Sequence, residues 1–183
     1  MPQVSSAAAK TWDFLHPIHK SRDNRTMNKA PVKCLILACG NTLREDDGIG
    51  PFLAEWAAVR FVTEPAVRVL IRQQWTPDLA AEIAEVDSIL FIDCSIESLP
   101  GIVRLMPVEP VAAGPGLASH HIGAPELLAL SQELYDTLPR KALLLTVGAG
   151  STNLREAFSA EVSAALPEAR SFLESTVAQL LAS

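Results

Sequence analysis

Short runs of consecutive apolar residues alternate along this chain with longer segments whose apolar positions recur at helical spacing. Cys34-Leu35-Ile36-Leu37-Ala38 is continuously apolar, as expected of a strand buried on both faces of a parallel sheet. Val67 to Ile71 and Ile89 to Ile92 read as further strands, the latter ending at Asp93. A fourth strand is expected over 102–106, with Arg104 pointing outward, and a fifth over 142–147. Between them, helical spacing covers 52–62, 79–86 with Pro77 in the first turn, 125–138, and 161–181 with an interruption near Pro167. Polar, Gly- or Pro-bearing stretches at 40–48, 108–123 and 148–153 read as loops. Strands alternating with helices predict an α/β fold, a three-layer α/β/α sandwich around a mostly parallel five-stranded sheet. In such a fold ligands gather beyond the carboxyl ends of the strands. The loop after the first strand, the end of the third strand and the 108–123 loop should share that edge.

The first 31 residues depart from this pattern. They carry Lys10, Lys20, Arg22, Arg25 and Lys29 against Asp13 and Asp23, show no sustained period, and end at Ala30-Pro31. Residues 1–31 are expected to be a flexible extension, or sequence upstream of a start at Met27. Residues 32–183 are expected to form one α/β domain. The whole chain of 183 residues is 49% hydrophobic, enough for a sizeable core. At 5% aromatic residues, that core must be mostly Leu, Ala, Ile and Val. A net charge of -6 without a basic stripe argues against nucleic-acid binding, because phosphate contacts need clustered Lys and Arg. Cys34, Cys39 and Cys94 form no CxxC and no disulfide framework; Cys34 and Cys94 sit in apolar runs, where a thiol acts as a small hydrophobe. No apolar stretch is long enough to span a bilayer, and the N-terminus lacks the apolar centre of a secretory signal. A cytoplasmic protein without a membrane partner is expected.

Candidate chemistry concentrates in three places. In Gly40-Asn41-Thr42-Leu43-Arg44-Glu45-Asp46-Asp47-Gly48-Ile49-Gly50, three consecutive acids open a helix. The helix dipole accounts for one of them, and Asp46 suits a capping role best. The other two leave a capped turn and a metal site as equal readings. The loop has no phosphate-binding lysine and is too acidic for phosphate. Asp93, ending a buried strand, is either a turn-forming carboxylate or one aimed into the ligand crevice. His120 and His121 are exposed loop residues unless they act with the carboxylates. Two carboxylates and one imidazole would suit a divalent ion such as Zn²⁺ or Ni²⁺. Nucleophilic catalysis has little support: there is no GxSxG elbow, Ser95 and Ser119 have no base at recognisable spacing, and Cys39 lies among acids that oppose a thiolate. Trp75, Thr76 and Pro77 are read either as a wall of the crevice or as a packed loop with an N-cap.

Taken together, Leu35 to Asn41, Leu43 and Asp46-Asp47-Gly48-Ile49-Gly50 resemble the opening motif GxGNxLxxDDGxG of the nickel–iron hydrogenase maturation proteases. Ile92-Asp93, Ser119-His120 with the Leu-rich helix after it, and the stretch from Phe158 to Pro167 extend the resemblance from about residue 33 to the C-terminus. The resemblance implies an endopeptidase that removes the C-terminal peptide of a hydrogenase large-subunit precursor after nickel insertion. It implies a divalent metal, nickel presented by the substrate, contacted by Asp47, Asp93 and His120, with His121 as the alternative ligand. No organic cofactor is implied. The chain departs from the family pattern at Ala38, which stands for the first glycine. It departs again at Gln74-Trp75-Thr76-Pro77, which keeps Thr76 but loses two glycines, and at Gly148-Ala149-Gly150-Ser151. Two other readings share the same residues: a non-catalytic nickel-checking or assembly protein, and a metal hydrolase acting on small molecules.

Overall fold

The computed structural model describes residues 31–111 and 122–182. Five strands form one sheet in the order β2-β1-β3-β5-β4. They are β1 Cys34–Cys39, β2 Val67–Arg72, β3 Ser88–Ser95, β4 Val103–Pro107 and β5 Lys141–Gly148. All neighbours are parallel except β4, which runs antiparallel along β5 at the edge. The helices are α1 Ile49–Arg60, α2 Leu79–Ala84, α3 Ala124–Tyr135 and α4 Ala160–Leu181. The expected extension at 1–31 lies outside the described residues except for Pro31, as do His120, His121 and Ser119.

The continuous apolar runs read as doubly buried strands because each strand feeds two cores. Cys34, Ile36 and Ala38 of β1, with Leu90 and Ile92 of β3, pack beneath α1 and α4. Leu35, Leu37, Ile89 and Phe91 point the other way, beneath α2 and α3. Aliphatic residues fill both layers, with Phe91 the largest fully buried side chain. This is the expected three-layer sandwich.

Chain order reverses between β1 and β3. From β1 the chain goes through α1 to β2 on one side, and then through α2 to β3 on the other. Such a reversal leaves a crevice at the carboxyl ends of the two diverging strands. Two glycines bring the chain close enough to shape it. At Gly40, φ is +142°, and a Cβ there would stand 2.0 Å from the carbonyl oxygen of Asp47. At Gly50, a Cβ would stand 2.1 Å from the carbonyl oxygen of Cys39 and 3.1 Å from that of Ile92. The first turn of α1 therefore rests directly on the ends of β1 and β3.

Several details depart from the sequence reading. A 3-10 turn at Glu45–Gly48 leads straight into α1, so the helix begins at Ile49 rather than near Phe52. Pro77 precedes α2 in a turn, its carbonyl accepting from Ala80 N at 3.1 Å, instead of lying in the first helical turn. Helix α4 runs unbroken through Pro167. Proline removes one N–H and crowds the carbonyl four residues back. Here that carbonyl belongs to Ser163, an exposed residue, where water can serve it.

Gly50→Ala should lower stability by about 3 kcal/mol, the upper part of the range for overpacking a well-filled interior. A fall in the urea midpoint is the expected reading. An unchanged midpoint would mean that α1 can back away from the strand ends at no cost.

Candidate active site

The three acids that open the helix go in three directions. Glu45, at φ +44°, donates its N–H to the Arg155 carbonyl at 2.7 Å and places its carboxylate 3.8 Å from the Arg155 guanidinium. Asp46 is fully buried. Its Oδ2 accepts from Gly150 N at 2.8 Å and Ser151 N at 3.1 Å, and its Oδ1 accepts from Ser159 N at 2.7 Å. Asp47 alone turns towards the crevice.

This corrects the capping role expected of Asp46. No side chain caps the 3-10 turn or α1. Asp46 instead ties the loop after β5 and the start of α4 to the loop after β1. Ser159, held by Asp46 through its N–H, is itself the N-cap of α4, its Oγ accepting from Val162 N at 3.3 Å. Repulsion among three adjacent acids is relieved because the carboxylates point apart, Asp46 and Asp47 onto hydrogen-bond donors and Glu45 towards the Arg155 guanidinium.

Asp47 meets Asp93 at the point where β1 and β3 part. Asp47 Oδ2 accepts from Asn41 N at 2.9 Å, so the asparagine of the loop orients it. Asp93 Oδ1 accepts from Cys94 N at 2.8 Å. Cys94 Sγ donates to Asp47 Oδ1 at 3.3 Å. One ligand atom from each of Asp47, Asp93 and Cys94 lies within 4.8 Å of the others. Trp75 packs edge-on against Phe91 with ring centroids 5.5 Å apart, and it lines the crevice together with Asp93. The Trp75 segment is therefore packed and also walls the crevice, but the expected N-cap is not there: Asp78 stands at the N-cap of α2, with no side-chain capping bond. These groups line a cleft of about 710 Å³, closed on its other side by Ile122, Gly123 and Glu126.

The neighbouring carboxyls have opposite electrostatics. Burial alone would push the Asp46 carboxyl up, but hydrogen bonds from Ser159, Gly150 and Ser151 outweigh it and hold the group below the usual carboxylate range. Asp93 is pushed up to about 6, first by burial and then by the charge of Asp47, against the opposing hydrogen bonds from Cys94 N and Trp75. Burial, followed by the charges of Asp93 and Asp47, raises the Cys39 thiol to about 12 and Cys94 higher still. Neither thiol is an activated nucleophile.

The structure thus brings Asp47 and Asp93 together; His120 and His121 fall outside the described residues. Ser95 ends β3, and its Oγ accepts from Ser98 N at 3.3 Å. Cys94 is the strand residue packed on the core that the sequence suggests, but its thiol also reaches Asp47, which the sequence reading does not give. Its position directly after Asp93 was the available signal, because the last residues of a strand leave the core on both faces.

Asp46→Asn should cost about 2 kcal/mol near neutral pH, since it leaves buried amides facing an amide donor. A lowered folded-state pKa stabilises above the ordinary value of 3.8, and the wild-type advantage should vanish as the pH falls below it. Asp93 has the opposite sign. The contribution of its neutral form is full below 3.8 and is lost as the pH rises to about 6. Asp93→Asn should therefore stabilise the protein near neutral pH, with a chelator present, by on the order of 1 kcal/mol. Urea midpoints moving in the same direction for both variants would contradict this assignment.

No family model matches the chain, and no curated protein matches it. Solved structures do. The hydrogenase maturating endopeptidase HybD from E. coli superposes with a TM-score of 0.64 at 18% identity, over 80% of this chain and 93% of that one. The [NiFe] hydrogenase maturation protease HybD from Thermococcus kodakarensis gives 0.58 at 27% identity, over 79% and 98%. The hydrogenase 2 maturation peptidase from Thaumarchaeota archaeon SCGC_AB-539-E09 gives 0.59 at 22% identity, over 80% and 98%. The chain has the fold of the hydrogenase maturation proteases, the same family that its opening motif resembles.

Proposed function

We propose that this protein is an endopeptidase that removes the C-terminal peptide from a nickel–iron hydrogenase large-subunit precursor once nickel has been inserted. The observation that carries the reading is the convergence of Asp47 and Asp93 in a cleft at the strand ends of this fold. On this reading the precursor is the partner and its nickel is part of the substrate. Asp47, Asp93 and His120 contact that nickel. Ile122, the residue after His121 in the sequence, lines the cleft.

A divalent ion held by carboxylates and imidazole can polarise a peptide carbonyl. The protein's own residues supply position and proton control. Asn41 N fixes the rotamer of Asp47, and Cys94 N fixes that of Asp93. Burial and the charge of Asp47 push Asp93 up to about 6 before the nickel arrives, and an ion of opposite sign would relieve that cost and displace the proton, leaving the carboxylate ionised to hold the metal. The cleft of about 710 Å³ has Trp75 on its wall and leaves room for part of a peptide. The reading places the protein in the cytoplasm. Among the described residues, no helix is long and apolar enough to cross a membrane.

The test is to mix the purified chain with nickel-loaded and nickel-free precursor and weigh the products by mass spectrometry. Loss of a C-terminal peptide from the nickel-loaded form alone is expected. Asp47→Ala should abolish it while lowering the folding stability read from urea unfolding by only about 1 kcal/mol, because Asp47 is half-buried and its bonds are to the Asn41 amide and the Cys94 thiol. His120→Ala should cost more activity than His121→Ala. Nickel-dependent binding with no loss of mass would contradict a peptidase and favour a checking protein. Turnover of a small ester or amide without affinity for the precursor would favour the small-molecule hydrolase.

A further inference from the structure

We propose that Cys94 is a thiolate ligand at this site, so that Asp47, Asp93 and Cys94 together take a divalent transition-metal ion of borderline softness, such as Ni²⁺, Co²⁺ or Zn²⁺. The proposal rests on reading the cleft as a metal-facing site, and not on peptide cleavage.

Geometry, orientation and chemistry support it. Cys94 Sγ stands 3.3 Å from Asp47 Oδ1. Ligand bonds of about 2.3 Å to sulfur and about 2.1 Å to oxygen, at a tetrahedral angle, require a separation of about 3.6 Å. A shift of a few tenths of an ångström therefore lets both atoms share one ion. One atom of Asp93 also lies within 4.8 Å of each of the other two. Each carboxylate is pinned by a backbone amide through one oxygen, Asp47 by Asn41 N and Asp93 by Cys94 N. Outer partners of this kind fix the orientation of metal ligands. Cys39 lines the same cleft but donates its thiol to the Gln73 carbonyl at 3.5 Å, which leaves Cys94 as the sulfur of the cluster.

A thiolate changes what the site selects. Two carboxylates alone would suit Mg²⁺ or Ca²⁺ as well as Ni²⁺; adding sulfur favours the later transition metals. The step balances without a redox partner. The Cys94 S–H bond breaks, its electron pair forms the sulfur–metal bond, and the proton leaves to solvent. Asp47 Oδ1 exchanges its hydrogen bond from the thiol for the metal. The dication offsets the negative surroundings that otherwise keep the thiol protonated.

The test is a Co²⁺ titration of the full chain, followed by absorption. Thiolate ligation gives an intense sulfur-to-cobalt charge-transfer band in the near ultraviolet, which oxygen ligands do not. The wild type should show it, and excess Mg²⁺ should leave it in place. Cys94→Ser should abolish the band and weaken Co²⁺ binding roughly tenfold or more. Cys39→Ser should keep the band. Circular dichroism and the urea midpoint check that each variant is folded, and Cys94→Ala provides a second replacement if the serine variant is not. A wild-type protein with no band overturns the proposal, as does a band that survives in folded Cys94→Ser or disappears in folded Cys39→Ser. Precursor processing, measured on the same samples, separates the two readings. Processing without a band overturns the Cys94 ligand and keeps the peptidase. A band without processing does the reverse.

Discussion

The Asp46 carboxylate collects three backbone amides from the loop after β5 and the start of α4, and the direction of Asp47 follows from that. With Asp46 turned inward, the short 3-10 turn leaves its next residue facing the crevice. Buried carboxylates are tolerable only when their lone pairs are filled, and here backbone donors fill them. The same bonds anchor Ser159, the cap of the helix that covers half of one sheet face. One side chain thus couples the first loop of the fold to its last helix and sets the geometry of the site between them.

Two adjacent elements therefore meet different demands. The Asp46 side is closed and fully satisfied, and its carboxyl is held ionised. The Asp93 side is half-open, and its carboxyl is held in an environment that resists ionisation. A site that is to meet a cation benefits from the second condition, because an ion of opposite sign relieves the cost of charging the carboxyl. Gly40 and Gly50 make the arrangement possible, since any Cβ at either position would strike a backbone carbonyl of the loop or strand ends. Asp93, on β3 itself, and Asp47, in the turn leading into the helix that rests on the ends of β1 and β3, gain their precision from the sheet.

Much of this was legible in the sequence. The doubly buried strands announced themselves as unbroken apolar runs, because both faces of the sheet are covered. The triple acid, the strand-ending Asp93 and the order of elements located the crevice. The role of Asp46 was only half legible. Its structural character could be read, but its donors lie at Gly150, Ser151 and Ser159, more than a hundred residues away, and no local pattern names them. The reading of Cys94 as a strand hydrophobe holds but is incomplete, for a related reason. Composition marks it as part of a strand, and only the folded position of Asp47 gives the thiol a partner. Pro167 was read as a break because local propensity penalises it, whereas packing of the helix on both sides of it keeps α4 whole.

The division of labour between adjacent acids is tested most directly by a carboxyl-carbon NMR titration of the aspartates in the chelated protein. Asp46 should titrate below the ordinary range, and Asp93 should titrate at about 6. Asp46 and Asp93 both titrating at the ordinary value near 3.8 would contradict the account, because neither the buried anchor nor the charge-resisting cleft would then exist as described.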